Sequence, residues 1–216
     1  MRALGTSGEH MRKRLAITLY AALAVTAAAS SEADGPFGYV MGRPISAYEG
    51  CKPTSQTGEY ECGSPPRPHP DAVAYFVKAY PETGICLVRA ITQATDTDPG
   101  GEAIRSRMEE LGGQISERYG SFRRTDEIRP SSTLKDPNQW AMSVLKGDRT
   151  FSFTWAAGSS ASLKNGIRSI TLGPIISHGD QDPTFVDLAF EIFVNVEFEN
   201  YERCKAQDRQ TKAKAF

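Results

Sequence analysis

Between Val186 and Phe198 the side chains alternate with a period of two. Val186, Leu188, Phe190, Ile192, Val194, Val196 and Phe198 are apolar, and Asp187, Ala189, Glu191, Phe193, Asn195, Glu197 and Glu199 occupy the other phase. Successive side chains on a strand point to opposite faces, so this segment is a strand with one buried face and one largely acidic, wet face. Such a strand needs neighbours on both edges and a core to lie on. It is expected to be central or near-central in a sheet.

The rest of the chain supplies partners. Ala72 to Tyr80 and Ile85 to Ile91 are rich in Val, Ile and aromatic residues, and Pro81-Glu82-Thr83-Gly84 between them has turn chemistry. Proline presets φ and glycine accepts a positive φ, so the two runs form an antiparallel hairpin. Phe151, Phe153 and Trp155 alternate with Ser152, Thr154 and Ala156, which marks another strand. Residues 157–166 are a hairpin loop, and Ile167 to Ile176 is the returning strand. Its Gly173-Pro174 step suggests an edge or a bulge. Phe37 to Met41 is a short strand candidate, and Gly42 to Ser46 reads as a turn followed by a short helix start. Residues 50–70 carry so many prolines and glycines that only a loop or small hairpin fits.

Helix signals are fewer. Asp98-Pro99 is a start signal, with Asp capping free amides and Pro at the first helical position. Ile104, Met108, Leu111, Ile115 and Tyr119 then follow at helical spacing, and Gly120 is a suitable stop. Gly112-Gly113 inside the run costs roughly 1 kcal/mol per glycine relative to alanine, which calls for a close backbone contact. Asp136-Pro137 repeats the start signal before Trp140, Ala141, Val144 and Leu145, and Gly147 ends that helix. Asn200 to Lys214 is polar and helix-compatible. Strands joined by short turns pair antiparallel. The expected fold class is therefore α+β: a twisted antiparallel sheet of about five strands with two or three helices packed on one face.

The N-terminal region reads as an export signal. A basic run from Met11 to Arg14 precedes an apolar run from Leu15 to Val25, and Ala27-Ala28-Ala29 supplies a cleavage pattern with Ser30 as the new N-terminus. Met11 is an alternative start. The expected organisation is a signal peptide over 1–29, a disordered leader over 30–36, a single α+β domain over 37–204 and a basic C-terminal tail over 205–216. No later stretch is long and apolar enough for a membrane helix, so no membrane span is expected after signal removal. What remains is mildly acidic and lacks a basic stripe, which argues against nucleic acid as a partner.

All four cysteines, Cys51, Cys62, Cys86 and Cys204, lie beyond the signal. An even count in an exported chain reads as disulfides, with three connectivities open. Cys51–Cys62, closing a short loop, and Cys86–Cys204, tying a strand to the C-terminal segment, are the favoured pairs. Zinc is disfavoured because no Cys-x-x-Cys pair occurs, and no cofactor is expected.

Candidate chemistry is sparse. His178, Asp180 and Asp182 could place an imidazole and two carboxylates on one loop around a divalent cation, but a solvated turn between two strands is the preferred reading. His69 sits in the stiff segment Pro66-Arg67-Pro68-His69-Pro70. Asp96, Asp98 and Glu102 crowd one helix start, where a cap and favourable dipole account for them. Gly158-Ser159-Ser160 is not a nucleophile elbow, and no Walker loop or dinucleotide fingerprint occurs. Phe151, Phe153 and Trp155 could line a ligand site but suit a core. On the acidic side of the last strand, Phe193 is expected to be partly covered by the C-terminal segment. The tail cations Lys205, Arg209, Lys212 and Lys214 could reach an anionic partner, but folding against those acids or staying solvated is the preferred reading.

Four stretches carry a resemblance: Phe37-Gly38 to Ser46, Gly84-Ile85-Cys86, Glu117-Arg118-Tyr119-Gly120, and Asn200-Tyr201 to Cys204. On these the chain resembles small exported bacterial proteins of uncharacterised function. The opening stretch is also similar to small envelope lipoproteins that help assemble outer-membrane proteins, but here the lipid-bearing cysteine is missing. The resemblance implies an envelope location and names no catalytic residue. The expected role is therefore a non-enzymatic, disulfide-stabilised protein of the periplasm, or a secreted one, that binds another envelope component such as an envelope protein. The alternative is a hydrolase or enzyme inhibitor whose site lies around His178 in loop 177–184, or in the Pro-rich loop 50–70.

Overall fold

The computed structural model describes residues 35–176 and 189–213. The expected export signal over 1–29 and the residues His178, Asp180 and Asp182 lie outside them. So do Val186, Asp187 and Leu188 of the expected last strand, and Lys214.

The strands are β1 (Cys51–Pro53), β2 (Glu59–Cys62), β3 (Ala72–Tyr80), β4 (Gly84–Thr92), β5 (Thr95–Asp96), β6 (Arg123–Ile128), β7 (Arg149–Ala156), β8 (Ile167–Ile176) and β9 (Ala189–Phe198). They join in one nine-stranded antiparallel sheet in the order β1-β2-β3-β4-β9-β8-β7-β6, with β5 on the β4 side of β9. The alternating segment is central as expected: β9 pairs with β4 from Leu87↔Glu197 to Ile91↔Phe193, and with β8 along its whole length.

A five-stranded α+β packing is thus too small, and the molecule is dominated by its sheet. The four additional strands are β1, β2, β5 and β6. β6 reads Arg-Arg-Thr-Asp-Glu-Ile and shows no alternation, because it is an edge strand whose charges face water on both sides. β5 is two residues long, and β1 and β2 form the small hairpin inside the Pro-rich region. The expected strand over Phe37–Met41 does not form. Pro36–Gly38 is a 3-10 turn, with Phe37 at φ 53° and Gly38 at φ 83°. Two successive positive φ angles are incompatible with a strand. In β8, Gly173-Pro174 is not the bulge, since the register shift falls between Ile167 and Ser169. Pro174 lies beyond the last β7 pair, Phe153↔Leu172, where that edge of β8 has no ladder to lose.

The helices are α1 (Glu102–Tyr119), α2 (Trp140–Leu145) and α3 (Tyr201–Ala213). α1 starts later than its signal. Gly101 at φ 70° precedes it, and Asp98 Oδ2 accepts from the backbone N–H of Glu102 at 2.9 Å and of Ala103 at 3.4 Å. The aspartate caps as expected, but Pro99 stays outside the helix. Gly112 faces a side chain rather than backbone: a Cβ there would stand 2.9 Å from Phe153 Cδ2. In α2, Asp136 accepts from Asn138 N–H at 2.8 Å, ahead of a 3-10 turn over Pro137–Gln139.

The expectation that all helices share one face is also corrected. α1 and α2 cover the face carrying Phe151, Phe153 and Trp155, which are almost wholly buried, together with Val88, Ile170, Ile192, Val196 and Phe198. α3 packs on the opposite face against β3 and β4, where Tyr80, Cys86, Cys204 and Tyr201 form a separate small cluster. The physical reason is a β-bulge. The register slips between Lys78↔Leu87 and Ala79↔Ile85, leaving Cys86 as the extra residue of β4. A bulge re-aims its side chain, and Cys86 reaches Cys204 of α3.

Candidate functional site

Both favoured disulfides are present. Cys51–Cys62 links directly paired residues of β1 and β2, and Cys86–Cys204 closes a loop of sequence separation 118. No free cysteine remains among the described residues. Around the second bridge, Asn200 Nδ2 donates to the carbonyls of Thr83 and Ile85, both at 3.0 Å. Tyr80 donates to Asp208 Oδ1 at 2.8 Å, while Lys78 and Lys212 lie 3.8 and 2.9 Å from Asp208 Oδ2. Burial pushes the Asp208 carboxyl up, but the hydrogen bonds from Lys212 and Tyr80 and the Lys78 charge hold it below the ordinary carboxylate range. Burial first, then the Asp208 contact, raises the Tyr80 phenol.

A cavity of about 290 Å³ lies between α1 and the core face of the sheet. Its floor is Ala90, Ile170, Val194 and Val196 from β4, β8 and β9, and its α1 wall is Leu111, Ile115 and Tyr119. The opposite wall is built from two loops sewn together. Arg67 N–H donates to Phe37 O at 3.0 Å, and the Phe37 ring stands edge-on to Tyr75 with centroids 5.3 Å apart. His69 N–H donates to the Tyr75 hydroxyl at 2.7 Å. Gly35 and Gly38 permit this closeness. A Cβ on Gly35 would fall 1.7 Å from Tyr39 O, and one on Gly38 would fall 2.6 Å from Pro66 Cβ. Phe37 adopts a left-handed backbone, which costs a non-glycine residue about 1–2 kcal/mol, and it places its ring on the cavity wall.

The cavity's polarity is sorted by depth. The one hydroxyl at the floor belongs to Thr92, which donates to Gln93 O at 3.2 Å and accepts from Ile192 N–H at 3.0 Å. Its proton and one of its two lone pairs are thereby engaged with backbone. At the rim stand Arg67, His69, Gln114 and Arg118, and among the described residues no Asp or Glu lines the cavity. Arg118 lies over the Tyr119 ring at 5.5 Å. His69 Nδ1 accepts from Asp71 N–H at 3.3 Å and lies 3.8 Å from Asp71 Oδ2. The nearby Asp71 carboxylate is held by Arg107 at 2.5 Å. Behind the wall, burial and then the neighbouring Tyr48 and Tyr75 push the Tyr39 phenol up to about 12. Burial likewise raises Tyr75, against the His69 hydrogen bond, so both phenols are neutral at pH 7.

Other sequence candidates fall elsewhere. Asp98 serves as a cap, and Asp96 pairs with Ala189 on β5. Ser159 Oγ donates to Ala156 O at 2.7 Å within its turn. Phe151, Phe153 and Trp155 are core, Trp155 donating to Gly120 O at 2.8 Å. Phe193 is half-buried, with its ring over Gly173, whose Cβ would meet it at 2.7 Å. The cover expected from the C-terminal segment comes instead from this strand-to-strand contact. Lys205 and Lys212 pair with Glu202 and Asp208 of their own helix. Among the described residues no cluster of His, Cys, Asp and Glu could hold a metal, and no helix is long and apolar enough to cross a membrane.

Sequence reading singled out His69 but not its role, and it missed Arg67 and Arg118 as rim residues. Gln114 and Arg118 are one turn apart, beside the Leu111–Ile115 stripe, which is a readable signal. Nothing local announces that the Pro-rich segment faces that stripe. Comparison with protein-family models, curated proteins and solved structures finds no match for this chain.

Proposed function

We propose that this chain is an exported envelope protein, periplasmic or secreted, that acts by binding another envelope component rather than by catalysis, and that its site is the cavity under α1. The observation that carries this reading is an apolar recess of about 290 Å³ with polar side chains confined to its mouth, at the small end of the range for ligand pockets. Two disulfides support the oxidising location, since such bonds persist outside the reducing cytosol. The signal pattern over 1–29 and the resemblance to small exported bacterial proteins point the same way.

Two measurements test it. Fractionation should recover a chain beginning at Ser30 from the envelope or medium, without alkylatable thiols. An uncleaved chain in the cytosol with four reactive thiols would remove the location. Titration with indole, a neutral apolar probe, should give saturable amide NMR shifts at Ala90, Leu111 and Val194 that vanish in Ile115→Trp. Saturation elsewhere, with these amides unmoved, would remove the site.

A further inference from the structure

We infer that the two sulfur bridges differ in role: Cys51–Cys62 is an exchange site for small dithiols, and opening it loosens one wall of the cavity, whereas Cys86–Cys204 stays closed. Access separates them. Exchange needs a thiolate to reach a bridge sulfur. Cys86 and Cys204 are wholly buried, the first on β4 between β3 and β9 and the second on α3. Cys62 is buried as well, but Cys51 is half-buried. Cys51 opens β1, a three-residue strand at the edge of the sheet whose neighbour is β2. Pro53 closes that strand and has no N–H for a ladder. An edge so short opens locally at low cost, while the middle of a sheet opens only near global unfolding.

Position couples the first bridge to the cavity, and this half rests on the cavity being the binding site. Residues 63–70 run directly from Cys62 and bring Arg67, Pro68, His69 and Pro70 to the lining. Four of these eight residues are prolines, Pro65, Pro66, Pro68 and Pro70, so the segment has few amide hydrogens with which to hold itself in place. The bridge anchors its start, with Gly63 N–H donating to Gly50 O at 3.2 Å beside it. Cys86–Cys204 sits on the opposite face of the sheet, away from the lining. The exchange balances as two displacements. One thiolate of the dithiol attacks Cys51 Sγ, the S–S bond breaks, and Cys62 leaves as a thiolate that takes a proton from water. The second thiolate then attacks the reductant's own sulfur in the mixed disulfide and releases Cys51. Two electrons pass to the protein, and the dithiol ends as a cyclic disulfide.

The full oxidised chain is treated with dithiothreitol at about pH 8, quenched with acid, alkylated with N-ethylmaleimide and read cysteine by cysteine in a mass spectrometer. Cys51 and Cys62 should be alkylated at least about ten-fold faster than Cys86 and Cys204. Equal rates, or the reverse order, would overturn the exchange site. In the chain reduced at this bridge alone, hydrogen exchange should show the Arg67 and His69 amides losing protection while α3 amides keep theirs. Its affinity for indole should fall about three-fold, and Cys51→Ser with Cys62→Ser should reproduce that fall. If the variant does not fold, the half-reduced chain carries the measurement. Unchanged affinity together with unchanged protection would overturn the coupling and leave the exchange site. If the oxidised chain binds no indole, the cavity reading falls, while the order of alkylation still decides which bridge exchanges.

Discussion

Helix α1 buries Ile104, Met108, Leu111, Gly112 and Tyr119 against the sheet, whereas α3 buries Cys204 alone. The first helix carries an apolar face that a sheet can hold without help. The second is polar nearly all round: beyond the sulfur bridge it packs only Tyr201 into the small cluster with Tyr80 and makes hydrogen bonds and ion pairs through Gln207, Asp208 and the preceding Asn200. An isolated helix of that length is marginal in water. The two faces of one sheet thus show two ways of fixing a helix, apolar packing on one side and a covalent tie plus polar contacts on the other. The cavity lies on the packed side.

The strongest way to break this contrast is Cys86→Ser with Cys204→Ser. The bridge closes a loop of separation 118, and the chain-entropy model assigns such loops about 4–5 kcal/mol. Hydrogen exchange should show α3 amides losing protection while α1 amides keep theirs relative to the remaining global stability. Equal loss in both helices would show that packing, not the bridge, holds α3.

A smaller effect sharpens the packed side. Gly112 and Gly113 are neighbours in α1, but a Cβ on Gly112 meets Phe153 Cδ2 at 2.9 Å and Phe122 Cε1 at 3.3 Å, and one on Gly113 meets nothing within 4 Å. Those rings are stacked with centroids 4.3 Å apart, and Phe153 is fully buried. Gly113→Ala should stabilise by about 1 kcal/mol through helix propensity. Gly112→Ala should fall below it by about 1–3 kcal/mol, because the added methyl overpacks the core. Urea denaturation that finds both alanines equally stabilising would refute close packing at this point.

The smallest effect belongs to the polar side. The Asp208 carboxyl is held low, so its contribution is present above about pH 4, the unfolded value. It is lost as pH falls through the lower folded value. Tyr80 runs the other way. Its folded phenol is raised, so its contribution is present below about pH 10 and is lost as pH climbs toward the folded value. Asp208→Asn should flatten the acid limb of a melting-temperature profile by less than about 1 kcal/mol, with Asp208 partly exposed and screened. An unchanged acid limb would mean that this network does not report on α3.

The elements with strong local signatures were readable. The β3–β4 hairpin, the apolar stripe of α1 and the strands β7, β8 and β9 stand where alternation and helical spacing put them. β6 was not readable, because an edge strand made of Arg, Thr, Asp and Glu carries no alternation. Both disulfide pairings were the favoured ones among three that the sequence left open, and the structure decides between them. The cavity was only half visible: its α1 wall lies in one readable stripe, while Phe37, Arg67 and His69 come from segments read as a short strand and a stiff exposed loop.

By itself the amino-acid order determined the strand and helix faces, because those depend on periodicity and turn chemistry within a few residues, while the choice among the three sulfur pairings belonged to the tertiary structure. Only the tertiary structure decided that Cys86 sits in a bulge, that α3 therefore docks on the opposite side from α1, and that two proline- and glycine-bearing loops wall a recess beneath α1. Those outcomes depend on register and packing between residues distant along the chain, where small slips change which way a side chain points.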